Sequence, residues 1–175
     1  MINLLAQLLA RLGLGPGLSQ DDDSSGPEVS KVAIFSHATL GDFYPNANPD
    51  WTDVVEGSWQ WCGRDVSLTL MFEEGTVDQA ADQAVLFLAK ETEWAVSFGD
   101  HMYQEMYETW LDGWRDEKES LSKEEWLARL SLDNLEIDST GDFTAMYNDG
   151  NLFGGHSLVV EGSQKEGVLG VSMFG

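Results

Sequence analysis

Gly141-Asp-Phe-Thr-Ala-Met-Tyr-Asn-Asp-Gly-Asn-Leu-Phe-Gly-Gly-His-Ser-Leu-Val-Val160 contains a hairpin signal and an unusual Phe-Gly-Gly-His core. Alternating residues flank Asn148-Asp149-Gly150-Asn151, whose small polar side chains tolerate positive φ and hydrogen-bond their own backbone. The pattern predicts strands over 143–147 and 152–160. Gly154 and Gly155, placed inside the second strand, predict a bulge or the close approach of another backbone.

Outward from this hairpin the same alternation recurs. Short strands are predicted around Val32 and Ile34, from Val54 to Trp61 and from Asp65 to Phe72, with a hairpin at Cys62-Gly63-Arg64. Thr39 to Pro49 is dense in turn-formers and reads as the loop that closes the first strand. Thr76 and Asp78 can cap a helix that buries Ala81, Ala84, Val85 and Leu88. In the next helix Tyr103, Met106, Tyr107, Trp110 and Trp114 recur every three or four residues, an aromatic stripe suited to the core. Ser122-Lys-Glu-Glu125 has the capping-box spacing and opens a short helix carrying Trp126, Leu127 and Leu130. Further strands are predicted at 134–137 and 168–174. Strands, then helices, then strands imply an α+β fold, a largely antiparallel sheet with about three helices packed on one face and no need for parallel crossovers.

The chain has 175 residues with 42% hydrophobic content and 7 Trp, 8 Phe and 4 Tyr, enough for a substantial core in one domain. Met1 to Leu14 is apolar except for Asn3, Gln7 and Arg11. Their four-residue spacing predicts an amphipathic helix, too short to span a bilayer, that docks on its own domain or a second copy, or anchors weakly to a membrane. Gly13 to Pro27 reads as an acidic linker, so the organisation expected is residues 1–28 as helix and linker and 29–175 as the domain. Gly13, Gly15 and Gly17 do not form a nucleotide loop, because no strand precedes them and Pro16 has no amide to donate.

Charge narrows the function classes. With 9 Lys and Arg against 31 Asp and Glu the formal net charge is -22, which opposes direct binding to nucleic acid and favours a basic protein partner. The helix residues Glu105, Glu108, Asp112 and Asp116 form a negative row opposite the aromatic stripe and are the candidate partner-binding surface. Asp149 and His156 are the candidate residues of a pocket at the hairpin. Cys62, the lone cysteine, excludes an internal disulfide; it reads as a buried small hydrophobe more readily than as a reactive thiol. His37, His101 and His156 lack metal-ligand spacing, and 138–149 does not match a calcium loop, so no metal and no cofactor are expected. No nucleophile elbow or deaminase pattern is present, so no catalytic residue is assigned.

Val66-Ser-Leu-Thr-Leu70, Trp110-Leu-Asp-Gly-Trp114, Leu121-Ser-Lys-Glu-Glu-Trp-Leu127, Asn148-Asp-Gly-Asn-Leu-Phe-Gly-Gly-His156 and Met173-Phe-Gly175 together resemble a bacterial family, domain of unknown function 2262. The resemblance covers about residues 29 to 175, and Asp-Gly-Asn-Leu-Phe-Gly-Gly-His is its most specific part. Gly154 departs from it, since a larger residue is expected there. The resemblance implies an α+β domain but no activity and no catalytic residues to carry over. Bacterial domains of similar layout are suspected of being immunity proteins that neutralise toxins. By that analogy, this chain is expected to be a cytoplasmic, non-enzymatic binding protein. The alternatives are a hydrolase-like enzyme with its pocket at 148–156, or an adaptor tethered through its first helix.

Overall fold

A computed structural model describes residues 32–116 and 119–175; the predicted amphipathic helix and the linker lie outside them. Among the described residues are eight strands and three helices. In chain order these are β1 (Phe35–His37), β2 (Gly41–Pro45), β3 (Val54–Trp61), β4 (Arg64–Met71), α1 (Val77–Leu88), α2 (Glu91–Gly113), α3 (Lys123–Leu127), β5 (Ser131–Asp138), β6 (Asp142–Asn148), β7 (Ser157–Ser163) and β8 (Gly167–Phe174). The strands form one sheet in sequence order, β1 to β8. Every neighbouring pair is antiparallel except β4 and β5, which run parallel from Ser67↔Asn134 to Met71↔Asp138. The fold is therefore α+β with a mostly antiparallel sheet. A parallel crossover, absent from the sequence-based expectation, occupies its centre. Parallel neighbours cannot be joined by a tight turn, and all three helices lie in the segment that makes this connection.

Local chemistry explains most elements. The β3–β4 turn consists of Cys62 and Gly63, both at positive φ (48° and 81°), the backbone that lets a two-residue hairpin follow the strand twist. Thr76 caps α1 reciprocally with Gln79, and Ser122 caps α3 reciprocally with Glu125. Along α2 the residues Trp94, Phe98, Met102, Met106, Trp110 and Trp114 are spaced by four. Phe98, Met102, Met106 and Trp110 are buried, whereas Trp114, at the end of the row, is 40% exposed. A row at this spacing drifts around the helix, because four residues exceed one turn of 3.6.

Cross-strand partners share a face of the sheet. Leu68, Leu135, Ala145 and Val160 form one row across β4 to β7, and Leu70, Ile137 and Phe143 form the next. All seven are buried. Phe143 meets Phe87 of α1 at 5.1 Å between ring centroids, and Trp94 and Phe98 of α2 at 5.0 and 5.4 Å. These rings join the helices to the sheet.

Three sequence-based expectations are corrected. Val32 and Ile34 are exposed and precede the first strand, which begins at Phe35. The segment read as a loop contains β2, whose Phe43 is fully buried and packs against Phe35; one deeply buried aromatic outweighs the turn-formers around it. The predicted strand over 152–160 starts only at Ser157, so Gly154 and Gly155 lie in a loop and not at a bulge. The register shifts fall instead at Leu132/Asn134 and Glu161/Gly162.

Phe143→Ala removes the ring shared by both long helices and is expected to lower stability by about 3–5 kcal/mol. Loss of the α3 cap in Ser122→Ala is expected to cost about 1 kcal/mol. Chemical denaturation of the two variants checks this ranking.

Candidate functional site

The loop between β6 and β7 is organised by a buried acid. Asp149 is 1% exposed, and its carboxylate accepts from the backbone N–H groups of Asn151 (2.9 Å), Phe153 (2.7 Å) and Gly155 (3.0 Å). Three converging amide dipoles replace the water that the charge gave up. Gly150 (φ 56°) cannot carry a side chain, because a Cβ there would lie 2.2 Å from the Arg129 carbonyl oxygen. The hairpin acid predicted as a pocket residue is thus committed to holding its own loop.

His156 closes the same loop. Its Nδ1 is hydrogen-bonded with the Phe153 carbonyl oxygen, and its ring meets Trp114 edge-on at 5.1 Å. Trp114 also contacts Phe153 at 5.9 Å. Gly154, where the resemblance led to a larger residue, lies under Trp114: a Cβ would come to 3.3 Å from the indole, at a φ of +68°. The exposed end of α2 and the Phe-Gly-Gly-His loop therefore form one corner.

Glu105, Glu108, Asp112 and Asp116 are all exposed; helical spacing puts the first three in one row, whereas Asp116, predicted on the helix, lies past its end at Gly113. Glu105 has a second task. Its Oε2 accepts from the Val171 N–H of β8 at 3.0 Å. A bare edge strand offers such donors to other chains, and this carboxylate covers one of them. Toward the end of α2 the row meets the negative pole of the helix, and no basic residue stands in the last turn. Acids are unfavourable there. Arg115 offers partial relief by donating from Nε to the Leu111 carbonyl at 3.2 Å.

Sequence reasoning missed a second acidic row. Sheet register aligns Glu56, Thr69, Glu136, Thr144 and Glu161 across β3 to β7, on the face opposite the Leu68 row. Only the strand order reveals it, because the parallel β4–β5 step has no signature in the chain. Burial raises the Glu161 carboxyl above its ordinary range. Burial also raises Asp142, helped by Asp138, Glu166 and Glu74, and it raises Asp133.

Cys62 is exposed, not buried as expected, because it forms the β3–β4 turn. Its backbone N–H donates to Glu91 Oε1 at 2.8 Å, and Trp59 Nε1 donates to Oε2 of the same residue at 3.0 Å. Partial desolvation and the Glu91 carboxylate push the thiol above its ordinary range, the opposite of an activated nucleophile. Among the described residues no group of three or more His, Cys, Asp or Glu is arranged to hold a metal ion. No helix among them is long and apolar enough to cross a membrane.

Residues 37–173 match the model of a family described as an uncharacterized protein conserved in bacteria, domain of unknown function 2262 (DUF2262). The chain belongs to this family. The match contains the loop hub Asp149, the Phe-Gly-Gly-His corner and the acidic row of α2, so the DUF2262 domain includes all the candidate residues. No curated protein and no solved structure matches the chain.

Replacing Asp112 by Lys is expected to stabilise the fold by about 0.5 kcal/mol, since it exchanges an acid for a base at the negative helix end; thermal melting in low salt reads the direction. A pH dependence also follows. The folded chain keeps protons on Glu161, Asp142 and Asp133 that the unfolded chain has already released. Their contribution to stability therefore falls as pH rises through the interval just above the ordinary carboxyl range. Melting is expected at higher temperature near about pH 5 than near about pH 7, with a smaller difference in Glu161→Gln.

Proposed function

We propose that this DUF2262 domain is a non-enzymatic, acidic binding protein acting in the cytoplasm, and that its partner is a basic protein. The observation that carries the reading is the placement of Asp112 at the negative end of α2, where no basic residue stands in the last turn. Charges placed against the helix dipole reduce stability, so a use in contact accounts for them better than a use in folding.

A net charge of -22 draws a basic protein toward the surface and repels nucleic acid. The core-facing rows of the sheet meet the helices through Phe87, Trp94 and Phe98. With all three helices gathered on that face, the acidic row of α2 is turned away from the core. A basic toxin that attacks nucleic acid is one partner of this chemistry, because an acidic inhibitor can cover the surface that meets phosphate. The hydrolase-like alternative needs a free acid near His156, but Asp149 is held by three backbone amides.

Affinity capture from the native source, with the full chain as bait, tests the reading. A protein enriched at low salt, lost at high salt and lost from a Glu108→Lys, Asp112→Lys double variant is the expected outcome. Failure to enrich any protein at low salt, or equal capture by the double variant, contradicts it.

A further inference from the structure

At the amino ends of the two parallel strands, where α3 hands the chain to β5, a cleft of about 370 Å3 opens between the β3–β4 turn and the end of α3. This volume lies at the lower end of the range that holds small ligands, roughly 300–1,000 Å3. Val66, Leu127, Leu130 and Leu132 form apolar walls. Arg64 and Tyr147 bring donors to the cleft, beside the Ser131 hydroxyl, the Cys62 thiol and the Trp61 indole in its lining. Arg64 stands exposed at its rim and forms no ion pair among the described residues, although acids outnumber bases more than threefold in this chain. Tyr147 lines the inner wall. It is 7% exposed, and its hydroxyl forms no hydrogen bond to the described residues.

The hydroxyl meets solvent at the cleft, where a ligand oxygen can accept its hydrogen bond in place of water. The phenol remains protonated, because burial, with a smaller push from Cys62, moves its ionisation far above the ordinary range. It can therefore donate. Glu91, an acid in contact with the β3–β4 turn, is held by the Cys62 amide and the Trp59 indole. The cleft thus sets a guanidinium without an ion pair among the described residues and a phenol hydroxyl over apolar walls, on a chain whose net charge is -22.

We infer that this cleft is a binding site for a small carboxylic acid with an apolar body, whose carboxylate accepts from the Arg64 guanidinium and the Tyr147 hydroxyl while the body covers Leu127, Leu130 and Leu132. Complementarity selects this occupant. The guanidinium calls for negative charge, the Tyr147 hydroxyl can donate to the same group, and the leucines exclude a fully polar anion. The inference is independent of the partner-binding reading, since the cleft and the acidic row use different residues.

Octanoate is a suitable probe, titrated into the full chain by calorimetry and by amide chemical shifts, with octanamide as its uncharged counterpart. Saturable binding of octanoate is expected, with shifts confined to the β3–β4 turn and the α3–β5 connection and weaker binding of octanamide. Arg64→Gln is expected to weaken octanoate about tenfold and Tyr147→Phe about threefold. Lys165→Gln makes the same change in net charge away from the cleft and is expected to leave binding unchanged. Arg64 is exposed and Tyr147→Phe keeps the ring, so both variants should fold, and matching melting curves establish that they do. Absence of saturation, equal binding of octanamide, an equal loss in Lys165→Gln, or no loss in either cleft variant would overturn the assignment.

Discussion

The parallel contact between β4 and β5 is the constraint from which the rest of this architecture follows. Every other junction in the sheet is antiparallel and can be made by a short connection, but a parallel neighbour has to be reached from the opposite end of the sheet. The chain uses that obligation to place α1, α2 and α3 in a single excursion. Two antiparallel halves, β1 to β4 and β5 to β8, meet along this seam. Leu68 and Leu135 pair across it, as do Leu70 and Ile137, and all four are fully buried.

The seam also positions the acidic row of α2 and the cleft. Phe143, one strand beyond it, receives the rings of both long helices and sets the depth at which α2 lies. Glu91 ties the start of α2 to the β3–β4 turn, and Glu105 ties its middle to the edge strand β8. Held in this way, α2 presents its acidic row to solvent and brings Trp114 over the Phe-Gly-Gly-His loop. The cleft of Arg64 and Tyr147 exists because the amino ends of β4 and β5 lie side by side.

Much of this is legible in the chain, and the parts that are not share a cause. Helix starts are written locally: Thr76 with Gln79 and Ser122 with Glu125 need only neighbours three residues away. The β3–β4 turn and the aromatic row of α2 are likewise short-range patterns. What escaped depends on distant residues. Phe43 makes a strand of a segment that looks like a loop only because it reaches the core, and nothing between Thr39 and Pro49 announces that. Asp149 is readable as a polar residue of the hairpin, but its three backbone partners are visible only in three dimensions. The acidic row helix by helix was readable, yet the bond from Glu105 to Val171 and the alignment of Glu56, Glu136 and Glu161 required the strand order.

Hydrogen exchange of individual backbone amides in the native full-length protein reports which strands open together. If the β4–β5 seam holds the sheet together, amides of β4, β5 and β6 are the slowest to exchange and share one opening free energy, equal to that of global unfolding. Protection confined to β3 and β4, with β5 to β8 exchanging through a separate and easier opening, would contradict a sheet built on that seam.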